Sequence, residues 1–159
     1  MKDTGLAARL RQATVADLEV ILHQKRSMFA DIGTGDESMR DAMTAVARPL
    51  IEAGLKDGSY RGWLIEVYGR VVAGGGLAIV GFQPNPLDLM PRRAFIVNMY
   101  TEPAFRRQGL ARLVLERAIA CCREEGFGSV FLHAAEAGRA LYESLGFRLA
   151  NEMRLLLSE

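Results

Sequence analysis

Tyr100-Thr101-Glu102-Pro103-Ala104-Phe105-Arg106-Arg107-Gln108-Gly109-Leu110-Ala111-Arg112 is the stretch that decides how this chain is read. The apolar run Ala94-Phe95-Ile96-Val97-Asn98-Met99-Tyr100 before it predicts a central strand over Arg92 to Thr101. Pro103 ends that strand, and Arg106 to Ala111 leads into a helix reaching about Glu125. Leu110, Leu113, Val114, Arg117, Ala118, Cys121 and Cys122 recur at helical spacing and give that helix one broad face. The start of a helix offers N–H groups without partners and the positive end of its dipole, which together attract an anion. Gly109 and Ala111 let a ligand approach the backbone closely, and Arg106, Arg107 and Arg112 surround the corner with guanidinium groups. The natural ligand of such a corner is a pyrophosphate.

The chain has no G-x-x-x-x-G-K-[ST] segment, which removes the P-loop reading. Gly74-Gly75-Gly76 lies inside a strand pattern and opens no helix, so it reads as a bulge or a close-packing site.

Outward from that corner the elements alternate without repeats or linkers. Leu10 to Ala13 predicts a first strand, and Thr14 with Asp17 predicts the cap of a helix through Leu18, Ile21, Leu22 and Lys25. Ala30 to Glu37 reads as a loop. A second helix over about Ser38 to Leu55 has to accommodate Pro49, which predicts a kink or two shorter helices. Tyr60 to Tyr68 and Val71 to Phe82 form a hairpin across Gly69-Arg70. Beyond the central strand and its helix come a strand at Val130 to Ala134, a short helix at Gly138 to Leu145 and a terminal strand at Phe147 to Leu157. The expected architecture is α/β (α+β mixed), one domain over residues 1–159, with a mostly antiparallel mixed sheet, a β-α-β unit and helices on both faces.

Composition narrows the function classes. Half of the 159 residues are apolar and a quarter charged, the mix of an ordinary globular protein. A chain of this length buries roughly 70% of the surface its unfolded form exposes, without help from disulfides or metal. Twenty Lys and Arg against nineteen Asp and Glu leave a net charge of +1, which gives no electrostatic case for nucleic acid. Seventeen of the twenty basic residues are arginine, the side chain suited to gripping anions with two donors at once. Cys121 and Cys122 are adjacent, poor partners for one another and too few for a zinc cluster, so no metal is expected and a reducing compartment is. No apolar leader opens the chain, and Val71 to Met90 is broken by glycine, proline and aspartate. A membrane partner is therefore not expected, and the expected location is cytoplasmic.

Three segments carry a family resemblance. Arg106-x-x-Gly109-x-Ala111, after a strand and opening a helix, resembles the coenzyme A loop of the GNAT superfamily of N-acetyltransferases. Gly138-Arg139-Ala140-Leu141-Tyr142-Glu143-Ser144-Leu145-Gly146-Phe147 is similar to that family's second signature, and Leu10-Arg11-Gln12-Ala13-Thr14-Val15-Ala16-Asp17-Leu18 to its usual opening. The resemblance implies that the fourth and fifth strands splay apart and that acetyl-CoA lies between them. It assigns the backbone of Met99 and Thr101 to the pantetheine arm and thioester carbonyl. It assigns Arg106, Arg107, Gln108, Gly109, Leu110, Ala111 and Arg112 to the pyrophosphate. An unpaired strand donor aimed at the thioester oxygen would stabilise the oxyanion formed during transfer.

The resemblance also gives Tyr142 the role of protonating the departing thiolate. A phenol near pKa 10 donating to a thiolate near 8.5 runs uphill by roughly 2 kcal/mol, which positioning can offset. Where many members carry an asparagine before this helix, this chain has His133-Ala134-Ala135-Glu136-Ala137, which departs from one secondary cofactor contact. The implied activity is acetyl-CoA-dependent transfer to a primary amine of a small molecule or peptide. The alternative is a non-catalytic acyl-CoA-binding sensor or structural module.

The acceptor side carries no diagnostic motif. Asn98 and Tyr100 share one face of the central strand by alternation and are candidate substrate contacts. Glu66, Asp36 and Glu37 are candidate bases for an amine that must attack in its neutral form, and Glu66 is also a candidate substrate contact. Asp31, Asp36, Glu37 and Asp41 hint at a cationic acceptor. Met153-Arg154-Leu155-Leu156-Leu157 offers a strand through which two subunits could pair as a homodimer.

Overall fold

A computed structural model describes residues 7–158. The elements run β1 (Ala8–Gln12), a 3-10 turn (Val15–Asp17), α1 (Leu18–Ile32), α2 (Glu37–Asp57), β2 (Tyr60–Val67), β3 (Arg70–Gly81) and β4 (Arg92–Thr101). A second 3-10 turn (Pro103–Phe105), α3 (Leu110–Glu124), β5 (Val130–Phe131) and α4 (Glu136–Ser144) follow. Asp17 takes the Thr14 N–H at 2.8 Å, so the expected cap starts the first helical segment. Tyr68 and Gly69 both have positive φ, as a two-residue type I′ hairpin requires, and β2 returns directly as β3.

The five strands lie in sequence order, antiparallel from β1 to β4, with β5 parallel to β4. Alternation along β2 sends Leu64 to one face and Trp63, Ile65 and Val67 to the other. Leu64 joins Leu18, Ile21, Leu22, Ala47, Ile51 and Tyr60 in a core beneath α1 and α2. Trp63 and Ile65 join Leu110, Val114, Leu115 and Ala118 of α3 in a second core, against which Leu141, Tyr142 and Leu145 of α4 also pack. The sheet is therefore covered on both faces, as the composition of its strands predicts.

Gly74-Gly75-Gly76 is the close-packing site the sequence indicates. A Cβ at Gly74 would run into Gln24 and Leu64, one at Gly75 into Met99 and Val114, and one at Gly76 into Tyr60. Both helical layers press on β3 through this tract, and the ladder to β4 skips a residue beside it, between Gly74 and Gly76.

Three expectations are corrected. The second helix is unbroken: Pro49 lies inside α2 on its exposed side, where water can take the carbonyl that loses its donor. The loop expected from Ala30 contracts, because α1 continues to Ile32 and ends at Gly33 in the left-handed conformation (φ 78°). The terminal strand does not form. Residues 147–158 run without regular structure, and Leu149, Met153, Leu155, Leu156 and Leu157 are exposed. A strand needs an edge to pair with, and β5 has only two residues, Val130 and Phe131, where five were expected.

Candidate functional site

The parting of β4 from β5 creates the site. Their ladder holds only Ala94 against Val130 and Phe95 against Phe131. From Ile96 onward β4 keeps β3 on one side and, among the described residues, has no strand on the other. The Glu102 N–H donates to Val72 O at 2.8 Å, toward β3. Alternation along an extended strand then turns the N–H groups of Thr101 and Met99 to the open edge. Met99 itself packs against the α3 core.

Asn98 marks the point of divergence. Its φ of 57° is left-handed, a conformation asparagine adopts more readily than most residues, and it sits opposite the break in the β3 ladder. Val97 packs toward the α1–α2 core, and Asn98 then points the same way. Its Nδ2 donates to Tyr60 Oη at 3.0 Å, and its Oδ1 accepts from Lys25 Nζ at 3.1 Å. Asn98 is only 5% exposed, so its conformation is fixed by groups from α1 and β2. Burial pushes the Tyr60 phenol up to about 12, and it stays protonated.

Beyond the strand, Pro103 opens a 3-10 turn, and Arg107 (φ 63°) and Gly109 (φ 81°) are both left-handed. Gly109 caps α3 with no side chain bonded to the helix end, and a Cβ there would point into open space. The first N–H groups of α3 therefore face outward unpaired. At the same turn Gln108 Oε1 is buried without a donor. An uncapped helix start and a glycine free of neighbours suit a phosphate-bearing cofactor.

The arginines at this corner are engaged unequally. Arg106 Nε donates to Thr101 O at 2.9 Å and its Nη2 to Asp31 at 2.5 Å, and its guanidinium stands 5.8 Å from the Tyr100 ring. Arg112 Nη2 donates to Ser144 Oγ at 2.7 Å, which fastens α4 to the start of α3. Tyr142, on that same α4, packs against the α3 core with its ring edge-on to Phe147. Burial raises its pKa, so the phenol carries its proton at neutral pH.

The structure brings Met99, Thr101, Arg106, Arg107, Gln108, Gly109, Leu110, Ala111 and Arg112 along one continuous edge and turn, with Tyr142 tied to it. Asn98 and Tyr100 share the α1 side, as alternation suggested. Glu66 does not join them: it lies on β2, with β3 between it and β4, and accepts from Arg11 Nε at 2.6 Å. The acids that hinted at a cationic acceptor are spent internally. Asp31 pairs with Arg106, Glu37 and Asp41 with Arg26, and Asp36 caps α2 by accepting from the Met39 N–H at 2.8 Å. Sequence reasoning missed Lys25 and Tyr60. The signal for Lys25 was available, since a lysine continues the Leu18, Ile21, Leu22 stripe where an apolar residue belongs.

Comparison with known proteins agrees with this geometry. The model of the Acetyltransferase (GNAT) family matches residues 24–147. The chain is 32% identical over 146 residues to the uncharacterized N-acetyltransferase YjgM of Escherichia coli (strain K12), covering 87% of this chain and 80% of that protein. Its fold is similar to that of a GCN5-related N-acetyltransferase from Ralstonia eutropha JMP134, with a TM-score of 0.89, 32% identity and coverage of 95% and 99% of the two chains. A predicted acetyltransferase from Clostridium acetobutylicum, solved with acetyl-CoA, matches with a TM-score of 0.83 at 24% identity over 94% and 95%. The parted strands, the uncapped helix start and these likenesses lead to one conclusion: the chain belongs to the GNAT family of acetyltransferases.

Proposed function

We propose that this enzyme transfers the acetyl group of acetyl-CoA directly to a primary amine, without a covalent enzyme intermediate. The observation that carries the reading is the continuity of the open β4 edge with the uncapped start of α3, to which the helix bearing Tyr142 is tied. Acetyl-CoA supplies an acetyl group activated as a thioester. The N–H groups of Met99 and Thr101 bind and orient the pantetheine and thioester carbonyl, and a donor fixed there favours the oxyanion over the carbonyl. The N–H groups from Gln108 to Arg112 hold the pyrophosphate, with Arg107 and Arg112 beside them. Tyr142 holds the proton that the departing thiolate takes up.

The cysteines support direct transfer. Cys121 and Cys122 are buried on α3, and burial pushes the Cys122 thiol up to about 11, far from a nucleophilic thiolate at neutral pH. A binding module without turnover is the competing reading. It is favoured by the engagement of the three candidate bases, Glu66 by Arg11, Glu37 by Arg26 and Asp36 by the Met39 N–H. Release of coenzyme A thiol from acetyl-CoA across a panel of amines separates the two. Amine-dependent release supports transfer, and tight acetyl-CoA binding with no release over the panel overturns it.

A further inference from the structure

Lys25 is a cation held in place by neutral groups. It stands on the buried stripe of α1, one turn beyond Ile21 and Leu22, and is half-buried. Its Nζ donates to Asn98 Oδ1 at 3.1 Å and lies 5.2 Å from the centre of the Phe29 ring. Among the described residues no carboxylate forms an ion pair with it, and burial alone acts on it, lowering its pKa. Asn98 can give it no charge, and the Asn98 amide nitrogen is already committed to Tyr60.

The acids around the site have partners of their own. Asp31 pairs with Arg106, and Glu102 with Arg70 at 3.5 Å. An ammonium withdrawn from water with only neutral partners is costly, and an incoming anion would remove that cost. The position fits this use. Asn98 directs its side chain to Lys25, while the backbone N–H of the next residue, Met99, faces the open edge of β4. Lys25 Nζ and the Met99 N–H are thus joined through a single residue of β4, Asn98.

We propose that Lys25 recognises the acceptor, and that this acceptor is an amine carrying an anionic group, a carboxylate or a phosphate, which pairs with Lys25 Nζ. This rests on the acetyl-transfer reading. It reverses the cationic acceptor to which the acidic residues hinted, because those residues are paired within the chain. Asn98 and Tyr60 are positioning residues that hold the ammonium toward the site.

The test compares matched amines on the whole protein with acetyl-CoA: L-amino acids against their carboxamides, and phosphoethanolamine against ethanolamine. The carboxamides have the less basic amines, so a preference for the acids runs against intrinsic reactivity. The expected result is kcat/KM at least ten-fold higher for the charged member of one pair type, which also tells carboxylate from phosphate. In Lys25→Met that ratio collapses toward one, in Lys25→Arg it is partly restored, and calorimetry shows the charged amine losing affinity for the Lys25→Met protein. Equal acetylation of charged and neutral members, or a preference that survives in Lys25→Met, overturns the inference and leaves acetyl transfer standing. Acetylation of no amine in either set, with acetyl-CoA bound, overturns the transfer reading and this inference with it.

Discussion

Arg112 and Ser144 are joined by a 2.7 Å hydrogen bond between the first turn of α3 and the last turn of α4. The bond gives the two halves of the proposed donor site, a phosphate-binding turn and an acid, one mechanical frame. Substitutions at the two ends should nonetheless separate binding from chemistry.

At the turn, Gly109→Asp places a carboxylate where the pyrophosphate is proposed to sit. Gly109→Asn adds the same bulk and the same left-handed strain without the charge. Affinity for acetyl-CoA measured by calorimetry should fall at least ten-fold, about 1.4 kcal/mol, in Gly109→Asp, and clearly less in Gly109→Asn. Equal affinity of Gly109→Asp and the natural protein would remove the pyrophosphate assignment.

At the acid, Tyr142→Phe keeps the packing against Phe147 and loses the proton. Turnover should drop roughly 10- to 1000-fold with acetyl-CoA affinity nearly unchanged. Because burial raises the Tyr142 pKa above its ordinary 10.0, the alkaline limb that its ionisation imposes on kcat should lie above pH 10.0. A Tyr142→Phe enzyme with full turnover would show that the thiolate leaves unaided.

Lys25 should also be visible in stability. Burial lowers its folded-state pKa below 10.5, so between that lowered value and pH 10.5 the unfolded chain keeps a proton that the folded chain releases. Stability then rises with pH across this window, and the slope disappears in Lys25→Met. At neutral pH the gain from removing an unpaired, half-buried charge is offset by the Asn98 Oδ1 left without its donor, so stability there should change by no more than about 1 kcal/mol. Urea midpoints of both proteins as a function of pH check it, and a less stable Lys25→Met with an unchanged slope would contradict it.

The glycines of β3 differ sharply. A Cβ at Gly76 would lie 2.6 Å from Tyr60 Oη and 3.0 Å from Arg61 O, whereas one at Gly81 meets nothing within 4 Å. Gly76→Ala should cost about 1–3 kcal/mol by overpacking and disturb the Tyr60–Asn98 bond. Gly81→Ala should be neutral or slightly stabilising. Thermal melts of the two variants decide the matter.

Replacing Cys121 and Cys122 together by alanine should leave acyl transfer and sequential kinetics in place, with stability lowered by the lost core volume. Loss of transfer in a folded double variant would point to a thiol intermediate.

The sequence made the donor side legible because its signals are local. Pro103, the arginines and Gly109 fix a strand, a turn and a helix start within a dozen residues, and β4 spans Arg92–Thr101 as its apolar run predicts. The side proposed for the acceptor was less legible because its residues are distant in the chain: Lys25, Tyr60 and Asn98 meet only once α1 and β2 stack on β4. The pairing of the acids in the 31–41 segment was hidden for the same reason, since Arg26 and Arg106 engage three of the four across element boundaries. The apolar alternation of Phe147 to Leu157 predicted a strand, but pattern alone supplies no edge, and the two residues of β5 offer almost none.

The two cores on opposite faces of the sheet divide the labour of adaptation. Residues beneath α1 and α2 can drift to suit a new acceptor while the packing beneath α3, and with it the cofactor corner, is left alone. Asn98 is where that independence ends. Its side chain is held by Lys25 and Tyr60 on the proposed acceptor side and its left-handed backbone shapes the edge proposed for the donor, so a chain that exchanged this residue would have to re-form both.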